Sequence, residues 1–445
     1  MNLKKIVAVV AVLGVMLPAG AQDPIIQTRY TADPAPMVYN DTIFLYTTHD
    51  EDDADGFKML DWLLYTSTDM VNWTDHGPVA SLQDFSWRSR DNGAWAEHVI
   101  ERNGKFYMYC PLHGHGIGVL VSDTPYGPFK DPLGKPLVWN KENWYDIDPA
   151  VYIDDDGQAY MYWGNPKTFC VRLNEDMIST KGDIMEMDHI NDYQEGPWLW
   201  ARKNAYGEKN YYLAFASTCC PEGIGYAMSK SPTGPWEHKG HIMDHTPRTR
   251  GNHPGIIEYK GKSYVFGLNY DLLRLITDEH HERRSVSAAE MKYNPDGTII
   301  EVPYWKDTVL EQIEPFDPYR KVQAETMAWG YGLKTDKLGE RNMYVHDIDN
   351  GEYIMLRGVD FGKKGAKTFS VDASCVKPGG MIELRLDKAD GPVIGRVMIK
   401  PTGSIDNYSR FTCKVKGAKG VHDLYLCFSG NGDDLFNLDS WNFKK

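Results

Sequence analysis

The sequence predicts an all-β protein, a five-bladed β-propeller followed by a β-sandwich of the jelly-roll type. A unit made of a polar opening, an apolar run, a tight turn and an aromatic run occurs five times. The copies begin roughly 45 to 65 residues apart, a repeat length typical of propellers and solenoids. After about residue 320, shorter alternating strands separated by Gly- and Pro-rich turns replace this unit, a spacing typical of sandwiches.

The clearest copy of the repeat is the stretch 145–164. Asp148-Pro149 precedes the apolar run 150–153, and an Asp-Asp-Gly turn ending at Gly157 leads into a second run, 159–163. Two β-rich runs around an Asp-Gly turn predict a hairpin. Asp148 is expected at the entrance of the first strand.

The other four copies keep this order but open on different polar residues. Their openings are Asp33-Pro34, Glu97-His98, Glu195-Gly196-Pro197 and His253-Pro254-Gly255. All-β hairpin units without helical periodicity favour a propeller of four-stranded blades, in which the first strand of each blade lines the central axis. The repeat therefore predicts that Asp33, Asp148, Glu195 and His253 meet at one end of the central channel.

Three parts of the chain are predicted: a signal peptide at 1–21, the propeller at 22–319 and the sandwich at 320–445. Lys4 and Lys5 precede the apolar run 6–17, and an Ala-Gly-Ala sequence ends at Ala21. This order is typical of a secretory signal peptide, and the apolar run is too short to span a membrane. The mature protein is expected to be secreted or periplasmic, without a membrane span.

Composition narrows the choice of partners. The formal net charge of −14 argues against nucleic acid and anionic membranes as partners. Seven Cys are too few for a disulfide framework in an exported chain of this length. The 13 Trp and 27 Tyr provide rings suited to stacking on sugars, although many of them are expected to pack within the blades.

The acids that open three of the copies are suited to glycoside hydrolysis. This reaction needs an ionised carboxylate to activate water and a protonated carboxyl group for the leaving oxygen. Asp33, Asp148 and Glu195 provide three acids. A single Asp-Pro is commonly only a strand-entry turn. Three acids at equivalent repeat positions favour function, because buried acids are costly unless they are paired or functional.

His253 is a candidate ligand for an ion on the axis, or the anchor of a water network there. Because only one His opens a copy in this way, a hard ion such as calcium is favoured over a transition metal.

Residues from about 25 to 315 resemble the catalytic propeller of glycoside hydrolase family 43, whose members are inverting arabinofuranosidases, xylosidases and arabinanases. The matching runs are Ala32-Asp33-Pro34, 148–157, Glu195-Gly196-Pro197, Asn252-His253-Pro254 and Arg284-Ser285-Val286. The resemblance implies that Asp33 is the general base and Glu195 the general acid. It further implies that Asp148 modulates the pKa of the acid, that His253 is the axial His and that Arg284 contacts substrate.

One run departs from this family. Many relatives have Trp-Ala-Pro in the second blade, whereas this chain has Trp95-Ala96-Glu97. Trp95 is still expected to stack on a sugar, and Glu97 is expected to add an acid near the rim of the pocket.

Residues from about 321 to 445 resemble carbohydrate-binding module family 6, through Gln323-Ala324-Glu325 and the run 434–439. The resemblance implies a structural calcium held by Glu325 and Asp439. It also implies a sugar cleft, for which Tyr331, Tyr408 and Asn431 are the candidates in this sequence.

Together these features predict an exported, inverting, exo-acting α-L-arabinofuranosidase without an organic cofactor. Its expected substrate is a plant cell-wall polysaccharide or oligosaccharide, such as arabinoxylan, arabinan or xylan. Inversion predicts that the base and the acid are roughly 6.5–9.5 Å apart. Two alternatives remain, a β-D-xylosidase on the same fold and a carbohydrate-binding protein without catalysis.

Overall fold

The computed structural model describes residues 23–88, 91–218, 221–245, 252–339, 342–376 and 379–445. The predicted signal peptide, 1–21, lies outside these residues. Within them the chain is almost wholly β-structure, with one short helix, α1 (Asp271–Arg274), and 3₁₀ turns at Leu82–Asp84 and Trp305–Asp307. None of the helices in these ranges is long and apolar enough to cross a membrane.

Five antiparallel sheets follow one another in the N-terminal part of the chain. The first contains β1 (Tyr30–Tyr39), β2 (Thr42–Asp50), β3 (Asp61–Ser67) and β4 (Trp73–Ser81). The second contains β5 (His98–Arg102), β6 (Lys105–Pro111) and β7 (Ile117–Ser122). The third contains β8 (Ala150–Ile153), β9 (Ala159–Trp163), β10 (Phe169–Leu173) and β11 (Thr180–Glu186). The fourth contains β12 (Tyr193–Lys203), β13 (Lys209–Ser217), β14 (Gly223–Ser229) and β15 (Glu237–Met243), and the fifth contains β16 (Gly255–Tyr259), β17 (Lys262–Asn269), β18 (Ser285–Tyr293) and β19 (Ile299–Ile300).

The first strands of the five sheets contact one another in a closed ring. β1 contacts β5, β5 contacts β8, β8 contacts β12, β12 contacts β16, and β16 returns to β1. Apolar side chains fill the space between neighbouring sheets, and the largest cluster includes Trp62, Met108, Tyr212 and Val265. Sheets packed radially around a ring of first strands form a β-propeller.

The five predicted hairpins are confirmed. In the third sheet β8 pairs with β9 across the Asp-Asp-Gly turn, and the Gly157 amide donates to the Asp154 carbonyl at 2.8 Å. The structure differs from the prediction at Asp33 and Glu195, which lie inside β1 and β12 rather than before them. The register shifts beside both residues. Such irregularities redirect a side chain out of the regular alternation of a strand.

The C-terminal part is a β-sandwich of two antiparallel sheets. One sheet contains, in spatial order, β23 (Lys334–Leu338), β24 (Asn342–His346), β31 (Asn437–Lys444), β26 (Thr368–Ser374) and β29 (Ser409–Lys414), with β20 (Val322–Gln323) also pairing with β31. The other contains β22 (Trp329–Tyr331), β25 (Tyr353–Asp360), β30 (Val421–Gly430), β27 (Gly380–Leu386) and β28 (Val393–Ile399). A separate apolar core, which includes Phe369, Leu426 and Trp441, lies between the sheets.

The sandwich docks against the first sheet of the propeller. β21 (Thr326–Met327) pairs with β4 and extends that sheet to five strands. Asn72 and Arg357 exchange two hydrogen bonds: Asn72 Nδ2 donates to the Arg357 carbonyl at 3.1 Å, and the Arg357 amide donates to Asn72 Oδ1 at 2.9 Å. Thr335 Oγ1 donates to the buried Asp75 Oδ2 at 2.7 Å. Backbone pairing and buried polar contacts therefore hold the two parts together.

The five cysteines in the described part of the chain form no disulfide with one another.

Candidate active site

Asp33 is held in a buried ion-pair network. Its φ of +49° lies in the left-handed region, which is uncommon for a residue other than Gly and marks a constrained position. Arg284 Nη1 donates to Asp33 Oδ1 at 3.0 Å, and Thr48 Oγ1 donates to Oδ2 at 2.9 Å. The guanidinium of Arg284 also binds Asp50 with two bonds, from Nε at 2.9 Å and from Nη2 at 2.8 Å. One buried arginine therefore orients two buried carboxylates.

Glu195 is positioned by its neighbours on the third and fifth sheets. Asn165 Nδ2 donates a hydrogen bond to Glu195 Oε2. The next residue, Gly196, packs on the ring of His253 so closely that a Cβ there would lie 2.9 Å from Nδ1. Its positive φ of +62° likewise favours glycine. The glycine therefore allows the strand that carries Glu195 to approach the axial histidine.

Asp148 and Glu195 form an interacting pair of acids. The Gly196 amide donates to Asp148 Oδ2 at 3.2 Å, so the Asp148 carboxylate lies beside the Glu195 segment. Burial raises the pKa of Glu195 to about 7, and the charge of Asp33 adds to this effect. Burial also raises the pKa of Asp148 well above its usual value, and repulsion from Glu195 contributes. The ionised form of each carboxyl group therefore disfavours ionisation of the other.

His253 and Glu222 complete the polar wall of the site. His253 Nδ1 lies 3.8 Å from Asp33 Oδ1, and burial lowers the pKa of its ring, so the imidazole is neutral at pH 7. Glu222 Oε2 accepts a hydrogen bond from the Asn252 amide at 2.6 Å. Burial raises the pKa of Glu222 to about 9, and repulsion from Glu195 adds to it. Glu222 is therefore a neutral carboxylic acid at pH 7.

The departure at Glu97 places a further acid inside the protein rather than at the rim. Glu97 is fully buried, and neither carboxylate oxygen has a hydrogen-bond partner among the other described residues. Burial raises its pKa well above the usual range, and the charge of Asp33 contributes. The expectation that Glu97 lies near the rim of the pocket is therefore wrong, because its side chain is buried.

An aromatic group lies beside the Asp33 network. Trp95, predicted to stack on a sugar, is stacked on His113 with ring centroids 4.2 Å apart. Phe57 packs at 6.1 Å from Trp95 and lies over the Arg284 guanidinium at 5.2 Å. Phe57 and Trp144, which lies 6.1 Å from His113, are both exposed. These rings continue from the buried acids to the protein surface.

The structure therefore brings together Asp33, Asp148, Glu195, His253 and Arg284, as the repeat and the resemblance predicted. Sequence reasoning missed three polar residues that hold this group: Asp50, Asn165 and Glu222. Asp50 ends β2 and Asn165 follows β9, so the signal for both is a polar residue at or just beyond the end of a buried strand. Glu222 immediately precedes β14 and has no counterpart at the repeat openings.

In the sandwich, Glu325 and Asp439 lie on neighbouring segments, and Asp439 also faces Lys321 at 3.4 Å. Glu325 Oε2 and Gln323 Oε1 are buried oxygens without a hydrogen-bond partner in the described part of the chain. Burial raises the pKa of Glu325 well above its usual value, and the charges of Asp75 and Asp439 contribute. The Ala324 amide donates to the Asp439 carbonyl at 2.9 Å, which fixes the two segments together. Oxygen ligands of this type suit calcium.

The three predicted sugar-cleft residues lie in different places. Tyr331 is exposed on β22 and stacks on Tyr353 with centroids 5.6 Å apart. Tyr408 immediately precedes β29 of the opposite sheet, and its hydroxyl is buried. Asn431 is exposed immediately after β30. The sequence missed Tyr353 and Tyr425, whose rings are 5.5 Å apart and extend the row that begins at Tyr331.

A propeller with ion-paired and protonatable carboxyl groups gathered at its axis, and aromatic rings leading to them, defines a glycoside hydrolase. Comparisons with known proteins agree. The profile "Glycosyl hydrolases family 43" matches residues 21–299, and "Carbohydrate binding module (family 6)" matches residues 323–445. The chain belongs to glycosyl hydrolases family 43, acts on O-glycosyl bonds and carries a C-terminal family 6 module.

Similar proteins include enzymes that act on arabinose and xylose linkages. An "Arabinoxylan arabinofuranohydrolase" of Paenibacillus polymyxa is 34% identical, with 95% of this chain and 74% of that protein covered. A "Xylosidase/arabinosidase" of Bacteroides ovatus is 31% identical over 61% of this chain and 95% of its own length. The crystal structure of a family 43 arabinoxylan arabinofuranohydrolase from Bacillus subtilis, in complex with cellotetraose, has a TM-score of 0.85 and 30% identity, covering 96% of this chain and 98% of that one.

Proposed function

We propose that this protein is an exported, exo-acting α-L-arabinofuranosidase that removes arabinose from arabinoxylan or arabinan with inversion. The main support is that one site contains both an acid suited to the ionised role and an acid suited to the protonated role. Asp33 forms an ion pair with Arg284 and suits the ionised role, whereas Glu195 has a pKa raised to about 7 and suits the protonated one. The arabinofuranohydrolase relative from Paenibacillus polymyxa supports the choice of substrate.

In the proposed mechanism, Asp33 accepts a proton from the attacking water. Glu195 donates a proton to the leaving glycosidic oxygen as the bond from the anomeric carbon to that oxygen breaks. Asp148 accepts a hydrogen bond from the Gly196 amide, which favours its ionised form, and a negative charge there would favour the protonated form of the adjacent Glu195. Inversion requires room for a water between the base and the sugar, hence a base-to-acid separation of roughly 6.5–9.5 Å.

We assign Arg284 a positioning role for Asp33 in addition to the substrate contact that the family resemblance implies. Its Nη1 donates to Asp33, and its Nε and Nη2 both donate to Asp50. We assign Trp95, with Phe57 and Trp144, to the surface that receives the sugar, because these rings join the buried acids to exposed surface.

A β-D-xylosidase is the alternative activity. The relative from Bacteroides ovatus, named "Xylosidase/arabinosidase", favours it. The same acids would perform the reaction, because the mechanism does not depend on which pentose occupies the pocket.

We further propose the domain organisation of the mature chain. The five sheets in the ring are five blades, the catalytic domain extends over 22–319 and the binding module over 320–445. The profile matches at 21–299 and 323–445 and the separate apolar core of the sandwich support these limits. The charged and apolar order of residues 1–21 supports their role as a signal peptide, with the mature protein secreted or periplasmic.

We propose calcium as a structural ion. Glu325, Asp439 and Gln323 would hold it in the module, since two of them have buried oxygens without a partner among the described residues. On the propeller axis, the neutral ring of His253 would contact an ion or order a water network. For sugar binding by the module, the exposed ring of Tyr331 is the best-supported candidate, and Tyr408 and Asn431 remain the weaker ones.

Sugar release from wheat arabinoxylan tests the proposed function. Wild type, Asp33→Ala and Glu195→Ala would be compared by chromatography of the released monosaccharide. The proposal predicts arabinose from wild type and a loss of roughly 10²–10⁴-fold in each variant, the usual contribution of a general acid or base. Xylose in place of arabinose would favour the xylosidase alternative. Binding to the polymer without any release by wild type would contradict hydrolysis of this substrate.

A further inference from the structure

A cluster of imidazole and carboxylate groups lies on the fourth sheet, outside the acids described above. His241 is in β15, and Asp244 and His245 follow directly after that strand. One potential ligand atom from each of the three lies within 4.8 Å of the others. Asp244 Oδ1 is 2.8 Å from His245 Nδ1 and 3.8 Å from His241 Nδ1. The three side chains are therefore close enough together to share one ion.

A second carboxylate supports the outer side of this cluster. Asp192 Oδ2 lies 3.7 Å from His241 Nε2, the ring nitrogen opposite the one that faces Asp244. Asp192 is itself fixed, because Thr218 Oγ1 donates to its Oδ1 at 3.0 Å and the Thr218 amide donates to its carbonyl at 2.9 Å. In metal sites, a histidine bound through one nitrogen commonly donates its other N–H to a carboxylate; Asp192 is the carboxylate on that side of His241, 3.7 Å away and so not hydrogen-bonded to it in this structure.

Charge and ligand type indicate what would bind. Asp192 and Asp244 contribute a formal charge of −2 to the cluster, which a divalent cation would neutralise. Two nitrogens and one carboxylate oxygen suit zinc or a similar first-row metal, whereas calcium prefers oxygen ligands. Asp244 and His245 are about half exposed, so water can occupy a fourth position.

We propose that His241, Asp244 and His245 bind a divalent transition metal such as Zn²⁺, with Asp192 orienting His241. The site links the end of β15 to the residue that directly precedes β12, the strand that carries Glu195. Because all three ligands lie within residues 241–245, binding would stabilise this end of β15. This inference is independent of the substrate of the enzyme.

Isothermal titration with ZnCl₂ tests the site in the full-length protein. The protein would first be stripped with EDTA and then returned to buffer with excess CaCl₂, so that oxygen-ligand sites are filled. Wild type would be compared with His245→Ala, an exposed position where the fold is expected to survive, as circular dichroism would check. His422→Ala is the matched control, because His422 pairs with Asp387 at 3.0 Å on the surface but belongs to no three-ligand group in the described part of the chain.

The expected result is that wild type and His422→Ala each bind one more Zn²⁺ than His245→Ala. Zinc held by the separate group of His49, Glu51 and Asp61 would remain in all three proteins and cancel in the comparison. Asp192→Asn should weaken binding roughly 10–100-fold, the usual effect of losing an outer carboxylate. Identical zinc binding by wild type and His245→Ala, or no zinc binding by wild type, would overturn the site. Unchanged affinity in Asp192→Asn would overturn the role of Asp192.

Discussion

Replacing Asn165 by Ala should extend the activity of the enzyme to higher pH. Asn165 Nδ2 donates to Glu195 Oε2, and this hydrogen bond favours the ionised carboxylate. It therefore opposes burial, which raises the pKa of Glu195 to about 7. Without the amide, the ionised form loses a stabilising contact and the pKa of Glu195 rises further.

The size of the shift follows from the hydrogen bond. A hydrogen bond to a charged group contributes roughly 1.5–3 kcal/mol, and about 1.4 kcal/mol corresponds to one pH unit. The pKa of Glu195 should therefore increase by about one to two pH units. A general acid acts in its protonated form, which is lost as pH rises through its pKa. A higher pKa of Glu195 thus moves the basic limb of the pH–rate profile to higher pH.

The assay is kcat/KM for arabinose release against pH, because this ratio reports the ionisation of the free enzyme. Gln194→Ala is the matched control, since Gln194 Nε2 contacts the other end of the same amide, Asn165 Oδ1, at 3.0 Å. Wild type and Gln194→Ala should lose activity above about pH 7. A basic limb that stays in place, or moves down, in Asn165→Ala would refute the assignment of Glu195 as the acid.

Three further predictions concern the surroundings of the acids. Thr48→Val removes the hydroxyl that donates to Asp33 Oδ2, and leaving a buried acceptor without its partner costs roughly 1–3 kcal/mol. The value of kcat should therefore fall about 5- to 150-fold and recover in Thr48→Ser. An unchanged kcat would exclude a role for this hydrogen bond. Glu222→Gln should reduce the loss of thermal stability between about pH 5 and pH 9. In the folded state the pKa of Glu222 is raised to about 9, so its stabilising contribution is complete at low pH and lost as pH rises through that value. If wild type and Glu222→Gln lost the same amount of Tm across this range, a neutral Glu222 would be contradicted. Removing residues 320–445 should lower Tm, because β4 loses its pairing with β21 and Asp75 loses its hydrogen bond from Thr335. It should also weaken binding to insoluble polymer, because the binding module is lost. An unchanged Tm in calorimetry would show that docking of the sandwich contributes no stability.

The sequence predicted the convergence of four residues, Asp33, Asp148, Glu195 and His253, because each of them opens a copy of the repeat. Residues at equivalent positions of a repeat reach equivalent positions around an axis. The structure confirms that their segments meet: Gly196 packs on His253, and its amide donates to Asp148.

The supporting residues could not be predicted in the same way. Asp50 is the last residue of β2 and Asn165 follows β9, and their partners are 234 and 30 residues away in the chain. Such contacts depend on how the blades pack, which local patterns do not encode. The pairing of β21 with β4 was missed for a related reason, because a strand of two residues has no detectable periodicity.

Proton NMR of the first sugar released from an α-linked arabinofuranoside tests the proposed mechanism most directly. If Asp33 activates water on the face opposite the leaving group and Glu195 protonates that group, the sugar must first appear as the β-anomer. Its α-anomer should then grow only as the free sugar equilibrates in solution. Initial appearance of the α-anomer would mean retention of configuration and would contradict the assignment of Asp33 as the base of an inverting reaction.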